Sequence, residues 1–113
     1  MTPSPLNTLF QQPELDQAKL LIQEYSFTLK GIPELIHLRL YQNLGDNHYE
    51  IEQSHYLQTP GMATPAFSDA GPFATAKEAM ADALETFTQP YREATGRQLS
   101  PHQDWLLPNR DFH

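Results

Sequence analysis

The segments Leu35-Ile-His-Leu-Arg-Leu-Tyr41 and His48-Tyr-Glu-Ile-Glu-Gln-Ser-His-Tyr-Leu57, joined across Leu44-Gly45-Asp46-Asn47, decide how this chain folds. In the first, Ile36, Leu38 and Leu40 share one parity and His37, Arg39 and Tyr41 the other, the two-residue period of a half-buried strand. In the second, Tyr49, Ile51 and Leu57 fall with Gln53 and His55, against His48, Glu50, Glu52, Ser54 and Tyr56. Gly45-Asp46 suits a two-residue type II′ turn, with glycine at the position that requires positive φ. That loop length sets a register, with Leu40 opposite Ile51 on the inner face, and Tyr41 opposite Glu50 and Arg39 opposite Glu52 on the outer. A slip by one residue sets Leu40 against a glutamate and turns each inner side chain outward, so both faces specify the same pairing.

Outward from this hairpin, about residues 35–57, the chain reads as packing for it. Residues 1–12 form an arm whose anchors are Leu6, Leu9 and Phe10. From Pro13 the spacing of Leu15, Ala18, Ile22, Tyr25 and Leu29, widened by Leu21, predicts an amphipathic helix over about residues 13–30. Pro13, Glu14 and Asp16 suit its first turn, while Lys30, Gly31 and Pro33 suit its end. Ser26-Phe27-Thr28 offers the alternative of a strand start. After the hairpin, residues 58–72 are rich in breakers and read as a loop with room for one short edge strand near Thr64–Ser68. Thr75-Ala-Lys-Glu78 then has the pattern of a capping box and opens a second helix over about residues 75–89. Its stripe is Ala76, Ala79, Met80, Ala83, Leu84 and Phe87, small enough for close approach to a sheet, and Pro90 ends or kinks it.

The tail, residues 97–113, carries the single tryptophan. Ser100 before Pro101, with Gln103 three residues on, is placed to cap one helical turn. Trp105, Leu106 and Leu107 form a cluster that should dock on something, because burying one such side chain recovers on the order of 1.5–3 kcal/mol. Whether the dock is the chain's own domain or a partner stays open at this point. The fold expected is α+β: an antiparallel sheet of two or three strands with two helices on its apolar face. Residues 13–96 make the single domain, between the arm at 1–12 and the tail at 97–113.

Composition narrows the function classes. A chain of 113 residues supports one modest core. Fourteen acidic residues against seven basic ones, net −7, argue against nucleic acid and anionic membrane surfaces, which need clustered Lys and Arg. With no cysteine, disulfides, thiolate metal sites and Cys nucleophiles are excluded. The first residues lack both a basic segment and a long apolar run, so a secretory signal is not expected, nor is membrane insertion, and a cytoplasmic address is the default. No cofactor motif is present: the chain carries no phosphate loop, dinucleotide fingerprint or nucleophile elbow.

Two patterns remain as candidate sites. His48, Glu50 and Glu52 stand at spacing two on one strand face, with His37 across the hairpin, and imidazole with carboxylate suits a divalent metal or small ligand. As a paired acid and base, Glu50 and Glu52 lack a cleft to push their pKa values apart, so no catalytic residue is assigned. His55 falls beside Gln53 on the inner parity and reads as a hydrogen-bonded residue at the end of the core. The stronger pattern is a surface: His37, Arg39, Tyr41, Glu50, Glu52 and Tyr56 mix aromatic and charged groups, as protein interfaces do. Together with Trp105, Leu106 and Leu107 they point to a protein partner, and self-association remains a second option.

In layout, helix, hairpin, third strand and helix over residues 13–90 resemble the αβββα domains that bind double-stranded RNA. Gly71-Pro-Phe-Ala-Thr-Ala-Lys77-Glu-Ala-Met-Ala sits where that family begins its second helix, but Lys77 is the lone basic residue there, so RNA binding does not carry over. Over residues 35–89 the chain is similar to HicB-like antitoxin domains, whose hairpin is followed by a helix opening like Ala74-Thr75-Ala-Lys-Glu78-Ala79. That resemblance implies a compact binding or regulatory role without catalysis. The function expected is thus a non-enzymatic adaptor, accessory subunit or assembly factor. The alternative is a regulatory domain for a small ligand or divalent metal.

Overall fold

The computed structural model describes residues 5–67 and 71–113. Its elements are α1 (Pro5–Thr8), β1 (Lys19–Leu29), β2 (Ile32–Asn43), β3 (Tyr49–Gln53), β4 (His55–Leu57), α2 (Ala76–Gly96), a 3-10 turn (Gln103–Trp105) and β5 (Leu106–Pro108). A three-stranded antiparallel sheet runs in the order β1-β2-β3, and β4 and β5 form a second, two-stranded sheet. The fold is α+β. The described residues span 52 × 26 × 23 Å with a radius of gyration of 16.4 Å, longer than the about 13 Å of a compact chain this size.

The organising hairpin has the register its faces demand. Leu40 faces Ile51, Tyr41 faces Glu50 and Arg39 faces Glu52. The turn differs from the expected one. Leu44 to Asn47 form a four-residue loop closed by Asn43 N–H donating to His48 O (2.8 Å) and Asn47 N–H to Asn43 O (2.8 Å). Asn47, at φ 63°, takes the left-handed position instead of Gly45. Both loops leave the same pairing, which is why the register survives the change.

The helix expected over residues 13–30 is a strand. Lys19–Leu29 pairs along β2, with Glu24 opposite Arg39, Tyr25 opposite Leu38 and Phe27 opposite Ile36. Residues spaced three and four apart also include an alternating set, and Gly31, at φ 82°, serves the hairpin turn between β1 and β2 instead of a helix end. Pairing decides the matter. β2 becomes the central strand with both edges satisfied, whereas a helix at 13–30 would leave one edge of β2 open. Two irregularities interrupt the ladder: Ile22 is an extra residue between the Leu21–Tyr41 and Gln23–Leu40 pairs, and a shift between Phe27 and Leu29 accommodates Pro33, which has no N–H to donate.

The second segment of the hairpin is two strands. It breaks at Ser54, whose N–H donates to His37 O (3.0 Å) as the last link to β2. Beyond it β4 turns to β5, with His55 opposite Pro108, Tyr56 opposite Leu107 and Leu57 opposite Leu106. Near Thr64–Ser68 the described residues form an isolated bridge, Leu57 to Ala66, and Ser68 lies outside them. The sheet's third strand is β1.

α2 begins as expected: Thr75 caps it, its hydroxyl accepting from Glu78 N–H at 3.1 Å. It runs on through Pro90 to Gly96, past the expected end. Losing the proline's backbone bond costs about 3 kcal/mol, and the last turns offset this by packing. Ala94 is fully buried, and the Tyr91 hydroxyl donates to Lys30 O at 2.6 Å. The 3-10 turn is capped by His102, which accepts from Asp104 N–H at 3.0 Å, and not by Ser100.

The core lies under α2. Ala83 and Phe87 of the helix join Ile36 and Leu38 of β2 and Leu57 of β4 in one cluster, all fully buried, and Ala79 is fully buried as well. Phe27 of β1 packs edge-on to Phe87 at 5.6 Å. Trp105 and Leu106 complete the same cluster, the indole meeting Tyr91 edge-on at 6.3 Å. Among the described residues no helix is long and apolar enough to cross a membrane.

Candidate functional site

α2 packs on one face of the three-stranded sheet, over β2 and β3; the other face is the candidate site. Alternation places His37, Arg39 and Tyr41 of β2 and Glu50 and Glu52 of β3 on it, and the β1 register adds Lys19 and Glu24. Arg39 is the hub. Its Nε donates to Glu24 Oε1 at 2.6 Å and its Nη1 to Glu52 Oε1 at 3.2 Å. Nη1 also donates to the backbone oxygen of His113, and the Phe112 ring lies 4.0 Å from the guanidinium carbon. The tail thus returns across the sheet to end on Arg39.

The electrostatics are self-compensating. The hydrogen bond from Arg39 holds the Glu24 carboxyl below its ordinary pKa, and the same bond raises that of Arg39. Lys19 Nζ stands 2.8 Å from Glu50 Oε2 and 5.9 Å from the centre of the Tyr41 ring. Tyr41 donates to Glu52 Oε1 at 3.4 Å. His37 stacks on Phe112, with ring centres 6.2 Å apart, and its Nδ1 stands 3.7 Å from Glu24, too long for a hydrogen bond.

Of the surface residues singled out in the sequence, His37, Arg39, Tyr41, Glu50 and Glu52 come together. Tyr56 does not: it lies on β4 against Phe67, ring centres 5.2 Å apart. Trp105 and Leu106 are in the chain's own core, at 5% and 6% exposure, while Leu107 on β5 is 36% exposed. Lys19 and Glu24 were missed because a helix was expected there, although strand alternation places them correctly. No local signal marks Phe112 and His113; the His113 contact to Arg39 spans 74 residues.

The set His48, Glu50 and Glu52 does not converge. His48 Nδ1 lies 3.3 Å from Asp46, Glu50 is taken by Lys19 and Glu52 by Arg39. The backbone N–H of His48, donating at 2.9 Å, lowers the pKa of Asp46. Among the described residues no group of three or more His, Cys, Asp and Glu is placed to hold a metal ion.

One relay went unanticipated. His37 N–H donates to Ser54 Oγ (2.8 Å), which stands 2.8 Å from His55 Nδ1, and His55 Nε2 stands 3.1 Å from Glu34 Oε1. The consistent tautomer has Ser54 donating to Nδ1 and Nε2–H donating to Glu34. Serine, histidine and carboxylate in sequence resemble a nucleophile with its base. However, Ser54 is buried, and its hydroxyl ties the His37 N–H of β2 to the His55 ring of β4. Its evident work is to hold the break between β3 and β4. Asn109 reinforces that break from the tail, its N–H donating to Ser54 O and its side-chain amide to Gln53 O, both at 2.8 Å.

No protein-family model matches the chain, and neither a curated protein nor a solved structure matches it significantly.

Proposed function

We propose that this chain is a small non-enzymatic adaptor, accessory subunit or assembly factor, working in the cytoplasm, that binds another protein through the outer face of the β1-β2-β3 sheet. The observation that carries this reading is the one-sided layering of the sheet. α2 packs on the β2 and β3 part of the inner face, while the outer face is met by the tail residues Phe112 and His113 at Arg39 and His37. A half-exposed face of Arg39, Tyr41 and His37 set among Glu24, Glu50 and Glu52 has the composition of a protein interface. The ion pairs already hold these side chains in place, so less rotamer freedom is lost when a partner docks.

The test is capture from native extract on the immobilised full chain, compared with Arg39→Ala and Phe112→Ala, each checked for an intact melting transition. A specific partner held by the wild type and released by both folded variants supports the reading. No specific partner, or one held equally by all three proteins, refutes it. A chain cut after Gly96 is unsuitable, because the cut removes Trp105 and Leu106 from the core.

A further inference from the structure

We infer that the β1 edge is a self-association surface, on which two copies pair β1 to β1 antiparallel about a two-fold axis at the Ile22 bulge to make one six-stranded sheet. This surface is distinct from the outer face, and the inference stands whether or not that face binds a partner. β1 is an eleven-residue edge strand, and its ladder partner is β2. Along it Leu20, Leu21, Ile22 and Tyr25 are between 38% and 49% exposed. A long, exposed, apolar edge is a template for another strand. On the inner side the apolar strip continues into a groove of about 460 Å³ between β1 and α2, walled by Ile22, Tyr25, Leu40, Met80 and Leu84.

The bulge selects the occupant. Lys19, Leu21, Glu24 and Ser26 lie opposite Asn43, Tyr41, Arg39 and His37 and so belong to the outer face. Leu20, Gln23 and Tyr25 lie opposite Gln42, Leu40 and Leu38 on the inner face, which Ile22 joins in the groove. Side-chain parity therefore changes within the strand. A regular foreign strand, or a self-pairing centred on any single residue, would set inner against outer side chains on one side of the bulge. With the axis between Ile22 and Gln23 the mismatch disappears. Lys19 then meets Ser26 of the second copy, Leu20 meets Tyr25, Leu21 meets Glu24 and Ile22 meets Gln23, each pair on one face. The irregularity that deters a regular strand is matched by the same irregularity in a second copy.

Charge and area agree. The two-fold sets Lys19 of one copy diagonal to Glu24 of the other, twice, within the cross-strand diagonal of about 7–8 Å, and no like charges stand opposite. An edge of this length with four partly exposed apolar side chains buries about 500 Å² per copy, roughly 1,000 Å² in all, at the lower bound for a specific interface. The dimer is accordingly reversible and depends on concentration.

Sedimentation equilibrium of the full chain, from about 5 to 500 μM to span the weak range such an area implies, should move the mass from 12.9 kDa toward twice that value. Ile22→Lys, which brings two like charges to the axis, should weaken dimerisation at least ten-fold, whereas Leu107→Lys on β5 should leave it unchanged. Because the chain has no cysteine, the register is tested separately. The double variant Leu20→Cys with Tyr25→Cys should oxidise to a covalent dimer, and Leu20→Cys with Ser26→Cys should not. A wild type that stays monomeric throughout, a dimer indifferent to Ile22→Lys, or equal cross-linking of the two cysteine pairs would each overturn the inference.

Discussion

Replacing Trp105 by alanine is the sharpest test of how the tail and domain are joined. The indole is 5% exposed, lies in the cluster with Phe87, Leu57 and Leu106, and meets Tyr91 edge-on at 6.3 Å. Truncating a buried aromatic to alanine costs about 3–5 kcal/mol. The site is at the end of the core, where neighbours can partly collapse into the gap, so the expected loss is about 3–4 kcal/mol, against a total stability of roughly 6–15 kcal/mol for a domain of this length. With a urea slope near 1.5 kcal/mol per M, the midpoint should fall by about 2 M. The melting temperature should fall by roughly 15 °C. The assay is urea unfolding followed by far-UV circular dichroism, since the substitution removes the only tryptophan. Leu107→Ala, two residues on and 36% exposed, is the matched control and should change stability by less than about 0.5 kcal/mol. If Trp105→Ala shifted stability by less than about 1 kcal/mol, the side chain would not be in this core, and the joining of tail to domain described above would be wrong.

Three further outcomes are expected. Ser54→Ala leaves the His37 N–H and the Nδ1 of His55 without their shared partner and should destabilise by about 1–3 kcal/mol, measured by urea unfolding; a neutral result would show that the relay does not hold the strand break. Thr75→Ala removes the side-chain acceptor for Glu78 N–H and should cost about 1 kcal/mol, whereas Thr75→Asp should retain most of it; equal losses would argue against capping. Glu24 has its folded pKa lowered by Arg39, so its contribution is present above the unfolded value near 4.5 and is lost as pH falls through the folded value. Melting temperature should therefore drop more steeply below pH 4.5 in the wild type than in Glu24→Gln, and parallel curves would remove Glu24 from the acid response.

The two sheets show where a strand's fate is decided. Tyr49–Gln53 and His55–Leu57 are consecutive in sequence, yet the first pairs with β2 and the second with β5, near the other end of the chain. Ser54 makes the switch by giving its N–H to His37 O while its hydroxyl takes the His37 N–H. Alternation through this stretch is nearly unbroken, so nothing local announces the exchange. Tyr56 consequently leaves the face on which parity alone would put it and packs on Phe67.

The sequence by itself determined the β2–β3 register, the capped start of α2 at Thr75 and the five hairpin residues of the outer face. In each case the deciding interactions join residues close in the chain: alternation across a four-residue loop, and a hydroxyl reaching three residues ahead. Tertiary structure alone decided that Lys19–Leu29 is a strand, that α2 continues through Pro90, and that Trp105 belongs to the domain's own core. The physical reason is the same for all three. Their local signals were balanced between alternatives, and the balance was tipped by long-range partners: the free edge of β2, the core and the Lys30 carbonyl that Ala94 and Tyr91 meet, and the edge of β4 that the tail completes. Backbone groups left unpaired and apolar groups left in water each cost more than local propensity differences supply, so contacts between distant residues override them.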